Sequence, residues 1–150
     1  MQHSTYLESK VLTAPPQRLQ LMLIEGAIRF ARQAEDALSV GNRVVASAAL
    51  MRTIDIVGEL LAAARSHKSD LNKRVADLYM FLFRRVTEAK INADANALGE
   101  ALRLLEFERQ TWQMLCDKLS GETQDTPATH RSHAFGSNHG NAKSGFSLEA

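Results

Sequence analysis

An all-α fold, an antiparallel up-down four-helix bundle with a short helical or extended N-terminal cap segment, is predicted by three features of the sequence. Apolar residues recur at three- and four-residue spacing in four long stretches. The stretches are separated by a few residues that stop or cap helices. No segment alternates apolar and polar residues over a useful length, so no sheet is expected. Such short connections make consecutive helices run antiparallel.

The first helix is predicted over 16–40. Pro15 and Pro16 disfavour helix before them, and Pro16 suits a first turn, where its missing N–H would be unpaired anyway. Gly41 supplies the stop. On a helical wheel Leu19, Leu23, Gly26, Ala27, Phe30, Ala34 and Ala37 form one stripe, read as the core face, while Leu21, Ile24 and Ile28 project nearly opposite. Burying a side chain of that size is worth about 1.5–3 kcal/mol, so the second stripe is expected to be covered. A neighbouring helix, the N-terminal segment or a partner could each cover it.

Asn42 is a good N-cap for a second helix over 43–66. Its polar stripe of Arg52, Asp55 and Glu59 is narrow, which makes the helix central or part of it a partner contact. Ser69 caps a third, over 70–91, with Leu71, Val75, Leu78, Leu82, Val86 and Ala89 as its seam, Tyr79 and Phe83 to one side and Phe81 to the other. Asp94 caps a fourth, over 95–119, with Leu98, Ala101, Leu102, Leu105, Trp112, Cys116 and Leu119 inward and Phe107 and Met114 on the far face. Ser120 and Gly121 are expected to end it.

These helices make a bundle of 15–121, preceded by a cap segment of 1–14 and followed by a tail. In the cap, Leu7 and Val11 stand four apart beside Tyr6, a pattern for one or two turns laid on a groove. From 122 to 150 only Phe135, Phe146 and Leu148 are large and apolar, too little to offset the entropy of ordering, so a disordered tail is expected.

The chain of 150 residues is 45% hydrophobic, enough for a sizeable core in one domain. A net charge of +1 gives no general electrostatic case for nucleic acid or a membrane surface. One cysteine excludes an intramolecular disulfide framework and fits a reducing compartment. With no apolar run of transmembrane length and no signal peptide, a soluble cytoplasmic protein is expected.

No catalytic or metal-binding constellation stands out. Outside the tail the histidines are His3 and His67, and no Glu-x-x-His occurs. His67-Lys68 has the composition of a phosphotransfer site but falls in a turn rather than in mid-helix. His130, His133 and His139 lie in the polar tail, Cys116 on the core seam, and Arg84-Arg85 is a pair rather than a patch. No catalytic residue, metal or cofactor is therefore expected.

The N-terminal block and first helix resemble the flagellar export chaperone family FliS, whose members carry a tyrosine, then Val-x-Thr-Ala-Ser-Pro, then Leu-x-x-Met-Leu-Tyr-Asp-Gly-Ala. Here the matching residues are Tyr6, then Val11-Leu12-Thr13-Ala14-Pro15-Pro16, then Leu19 and Met22-Leu23-Ile24-Glu25-Gly26-Ala27. Leu78-Tyr79, Glu88-Ala89, Asp94 and Trp112 follow at about the family's spacing, so the resemblance spans Tyr6 to Leu119. Pro15, Ile24, Glu25 and Lys90 depart from the family's usual serine, tyrosine, aspartate and asparagine.

The resemblance implies a cytoplasmic chaperone that works without ATP. Its client would be the disordered C-terminal region of flagellin, held partly helical around the bundle to prevent early polymerisation and aid delivery to the export apparatus. It also implies that the N-terminal segment with its tyrosine can cover part of the binding surface. Joined to the wheel reading, this makes Tyr6, Leu7 and Val11 the expected displaceable lid over Leu21, Ile24 and Ile28, with Gly26 allowing close approach to the first helix. Ile56, Leu60, Tyr79, Phe83, Phe107 and Met114 are further candidate client contacts. Two other readings remain: a self-associating structural bundle that pairs through the second stripe, and a phosphotransfer-type bundle using His67.

Overall fold

Among the described residues four helices follow one another with short connections: α1 Pro16–Ser39, α2 Arg43–Arg65, α3 Asp70–Asn92 and α4 Ala95–Leu148. The computed structural model describes the backbone of residues 14–148 and the side chains of residues 14–122. Tyr6, Leu7 and Val11 lie outside the described residues, and among those described there is no strand. The all-α bundle expected from the sequence is the fold found.

Each helix begins where local chemistry satisfies its first N–H groups. Pro16 opens α1 at a position needing no donor. Asn42 Oδ1 accepts from the Val45 N–H at 3.2 Å, Ser69 Oγ from the Asn72 N–H at 3.0 Å, and Asp94 Oδ1 from the Asn96 N–H at 2.9 Å. Gly41, at φ 76°, turns the chain after α1 in the left-handed region. Ala93 does the same after α3, at φ 53° and without glycine's freedom.

The antiparallel register can be read from side-chain neighbours. A Cβ built on Gly26 would stand 3.4 Å from Ile56 Cδ1. Four residues further along α1, Phe30 lies under the guanidinium of Arg52, four residues back along α2. From α3 to α4, Tyr79 reaches Glu108 and Arg85 reaches Glu100, again in opposite directions.

The chain divides into two compact units, residues 1–113 and 114–150. In the first, the core gathers Ile24, Ala27, Ile28, Ala31 and Ala34 of α1 with Leu50, Val57 and Leu60 of α2, Tyr79, Leu82 and Val86 of α3, and Leu98, Ala101 and Leu105 of α4.

This core corrects the wheel reading of α1. Ile24 and Ile28 belong to the central cluster, whereas Leu19, Leu23 and Phe30, expected inside, are only half-buried. The two supposed stripes are the shoulders of one broad apolar face, joined by Ala27, Ala31 and Ala34, each 0% exposed. These small residues let neighbouring helices approach closely, so the bulkier shoulder of Leu23 and Phe30 is left at the edge.

The seam of α3 is corrected as well. Leu71 is 69% exposed and Tyr79 is fully buried in its stead. In the second unit α4 does not stop at Ser120-Gly121 but continues as one helix to Leu148, where a disordered tail was expected. Extension from a formed helix needs no new nucleus, so glycine alone does not end it.

Candidate functional site

The core carries a polar centre that pins three helices. Tyr79 Oη, from α3, accepts a hydrogen bond from Gln20 Nε2 of α1 at 2.8 Å and donates one to Glu108 Oε2 of α4 at 3.2 Å. Glu108 is only 8% exposed and fills the gap in the α4 seam between Leu105 and Trp112. Among the described residues no buried side-chain nitrogen or oxygen lacks a partner.

Burial pushes the Tyr79 phenol well above its ordinary value, and the neighbouring Glu108 charge adds to the rise. The folded state therefore holds this proton more tightly than the unfolded chain. Its stabilising contribution is full below the unfolded tyrosine value of about 10 and falls as pH rises beyond it. Tyr79→Phe removes the donor to Glu108 and the acceptor for Gln20, and is expected to lower unfolding stability at neutral pH by about 1–3 kcal/mol. Denaturant titrations of both proteins between neutral pH and pH ~11 should also give the variant a shallower alkaline loss.

A cleft of about 520 Å³ lies between α1 and α4, lined by Arg32, Glu35, Gly99, Leu102, Arg103, Glu106, Phe107 and Gln110. Arg32 and Arg109 both pair with Glu106, holding its carboxyl below the usual carboxylate range, with Arg109 the larger cause. Phe107 stands at the cleft 64% exposed. Gly99 leaves the wall open, since a Cβ there would meet only the Arg103 guanidinium, 3.7 Å away.

A second apolar stretch runs along α2 and α3. Phe83 is half-buried, and its Cε2 lies 3.8 Å from where a Gly58 Cβ would sit. Ile54 and Met80 are half-buried against the core and Met51 is 48% exposed, while Phe81, also 48% exposed, stands on the other side of α3.

Of the residues singled out from sequence, Leu21, Ile24, Gly26 and Ile28 are all buried. Leu21, 1% exposed, is not part of the central cluster that holds Ile24 and Ile28. Leu60 and Tyr79 are fully buried, which removes them from the surface. Ile56 and Phe83 are half-buried and Phe107 is exposed. In the second unit Met114 is 65% exposed and Cys116 is buried.

Sequence reasoning missed Gln20 and Glu108. The available signal was an acid on the apolar seam of α4, which needs a donor from another helix. It also missed the pairing of Arg32 with Glu106.

His67 is exposed in the α2–α3 turn. Among the described residues no group of three His, Cys, Asp or Glu could hold a metal, and no helix is long and apolar enough to cross a membrane.

Over residues 1–119 the chain matches the family described as flagellar protein FliS. It is similar to the flagellar secretion chaperone FliS of Salmonella typhimurium, 29% identical over 116 residues that cover 76% of this chain and 86% of the relative. The flagellar secretion chaperone FliS of Bacillus subtilis is 26% identical over 111 residues, 74% of this chain and 83% of the relative. That of Vibrio cholerae is 24% identical over 110 residues, 73% and 81%.

Proposed function

The chain belongs to the FliS family of flagellar proteins, and from that premise we propose that its client is flagellin, bound through the disordered C-terminal segment before export. The family's members are flagellar secretion chaperones, so the chain is an export chaperone and not an enzyme. A chaperone of this kind must hold an unfolded segment by its apolar side chains while leaving its own core closed. The observation that carries the reading is Phe107, 64% exposed at a cleft of about 520 Å³. An aromatic ring left in water forfeits about 1.5–3 kcal/mol that a partner can recover.

An amphipathic client helix laid along α1 and α4 would cover Phe107 with its apolar face, its charged flanks facing Arg32, Glu35, Arg103 and Glu106. A following segment would use Phe83, Ile56 and Met51, and Met114 would be a separate contact. Tyr6, Leu7 and Val11 act as a displaceable cover. Of the three residues beneath that cover, Leu21 is the one it shields, because Ile24 and Ile28 are claimed by the central core. A tethered cover of this kind has a high local concentration, so client binding gains only the difference in burial. The protein acts in the cytoplasm, where flagellin awaits export, and hands the complex to export-apparatus components.

Calorimetric titration of the folded chain with a peptide from the C-terminus of its own organism's flagellin is expected to give saturable binding in the micromolar range or tighter, about −8 kcal/mol. A folded protein that takes up no heat at tens of micromolar would contradict the assignment of flagellin as client.

A further inference from the structure

The end of the bundle where α2 turns into α3 is strongly cationic, in a chain whose charges otherwise nearly cancel. Residues 65–74 hold Arg65, Lys68, Lys73 and Arg74 against the single acid Asp70, while the whole chain has 18 basic and 17 acidic residues. Arg65, His67, Lys68 and Lys73 line a cleft of about 350 Å³ together with the one acid, Asp70, and the cleft also touches Ala64 and Ala76. All of these cations are exposed, and among the described residues none of the four has a carboxylate partner. The first turn of α3 adds little of its own, because the Asn72 N–H is already taken by Ser69.

We propose that this cationic cleft docks an acidic, extended protein segment, at a surface separate from the client cleft between α1 and α4. Charge complementarity selects the occupant: unpaired like charges held together repel one another, and a run of carboxylates relieves that repulsion. The geometry favours a segment over a single anion, since the cations are spread along the cleft and exposed, with no buried donors converging on one point. Small walls at Ala64 and Ala76 leave room for a backbone.

The test uses the full chain and a fluorescein-labelled ten-residue peptide of glutamates, followed by fluorescence anisotropy. Saturable binding is expected at about 50 mM salt and should weaken steeply as salt rises. Lys68→Glu/Lys73→Glu, both at exposed positions, is expected to weaken it by about tenfold or more. Helicity, thermal midpoint and the flagellin-peptide titration should be unchanged in this double variant. Binding equal in the double variant, or no binding by the native chain, overturns the proposal. So does charge-dependent sedimentation with phosphatidylserine vesicles without peptide binding, which would make the patch a membrane contact. Loss of flagellin-peptide binding in Lys68→Glu/Lys73→Glu would overturn the separateness of the two surfaces.

Discussion

Ile24→Ala is expected to lower the unfolding free energy by about 2–5 kcal/mol while leaving the flagellin-peptide affinity of the folded fraction nearly unchanged. Ile24 is 0% exposed and packs in the cluster that joins α1 to the other three helices, beside Ala27 and Ala31. Alanines on either side cannot extend to refill the space, so most of the vacated volume stays empty. Domains of this size have only about 5–15 kcal/mol of total stability, which makes the loss easy to see in a denaturant titration. Were Ile24 instead part of an exchangeable groove, the same substitution would leave stability almost intact and weaken the client. Measuring both quantities on one variant separates the two roles.

Phe107→Ala is expected to do the reverse. The ring is 64% exposed, so its removal should change stability by no more than about 0.5 kcal/mol. As the central apolar anchor of the cleft it should cost about 10- to 100-fold in calorimetric affinity for the flagellin peptide. The ion pairs of Glu106 with Arg32 and Arg109 are exposed enough for salt to screen them, so they bias orientation more than strength. Unchanged affinity in Phe107→Ala would move the client away from the α1–α4 cleft.

The starts of the described helices and the connections between them were legible in the sequence because caps are local chemistry. Asn42, Ser69 and Asp94 each accept bonds from amides two or three residues away. The orientation of α1 was less legible. Its apolar face is broad, and only packing against α2, α3 and α4 decides that Ile24 and Ile28 go inward while Leu23 and Phe30 stay at the edge. Phe30 tolerates that place because the guanidiniums of Arg29 and Arg52 stand 5.6 and 5.9 Å from its ring centroid.

The burial of Tyr79 was hidden for a related reason. Its partners Gln20 and Glu108 lie 59 and 29 residues away, and no periodicity links them. Phe107 could be placed on the outer face because α4 has a regular inner seam that fixes its rotation. The cleft beside it depends on Arg32 and Glu35 of α1 and appears only when the helices are assembled.

The claim everything else depends on is that the client lies on the outside of a bundle whose core stays shut. Amide hydrogen exchange of the chain alone and saturated with flagellin peptide tests it directly. Slower exchange over residues 99–110 of α4, with unchanged exchange over residues 24–31 of α1, is the predicted result. Faster exchange over residues 24–31 on binding, with no protection over 99–110, would mean that the bundle opens to admit its client and would contradict it.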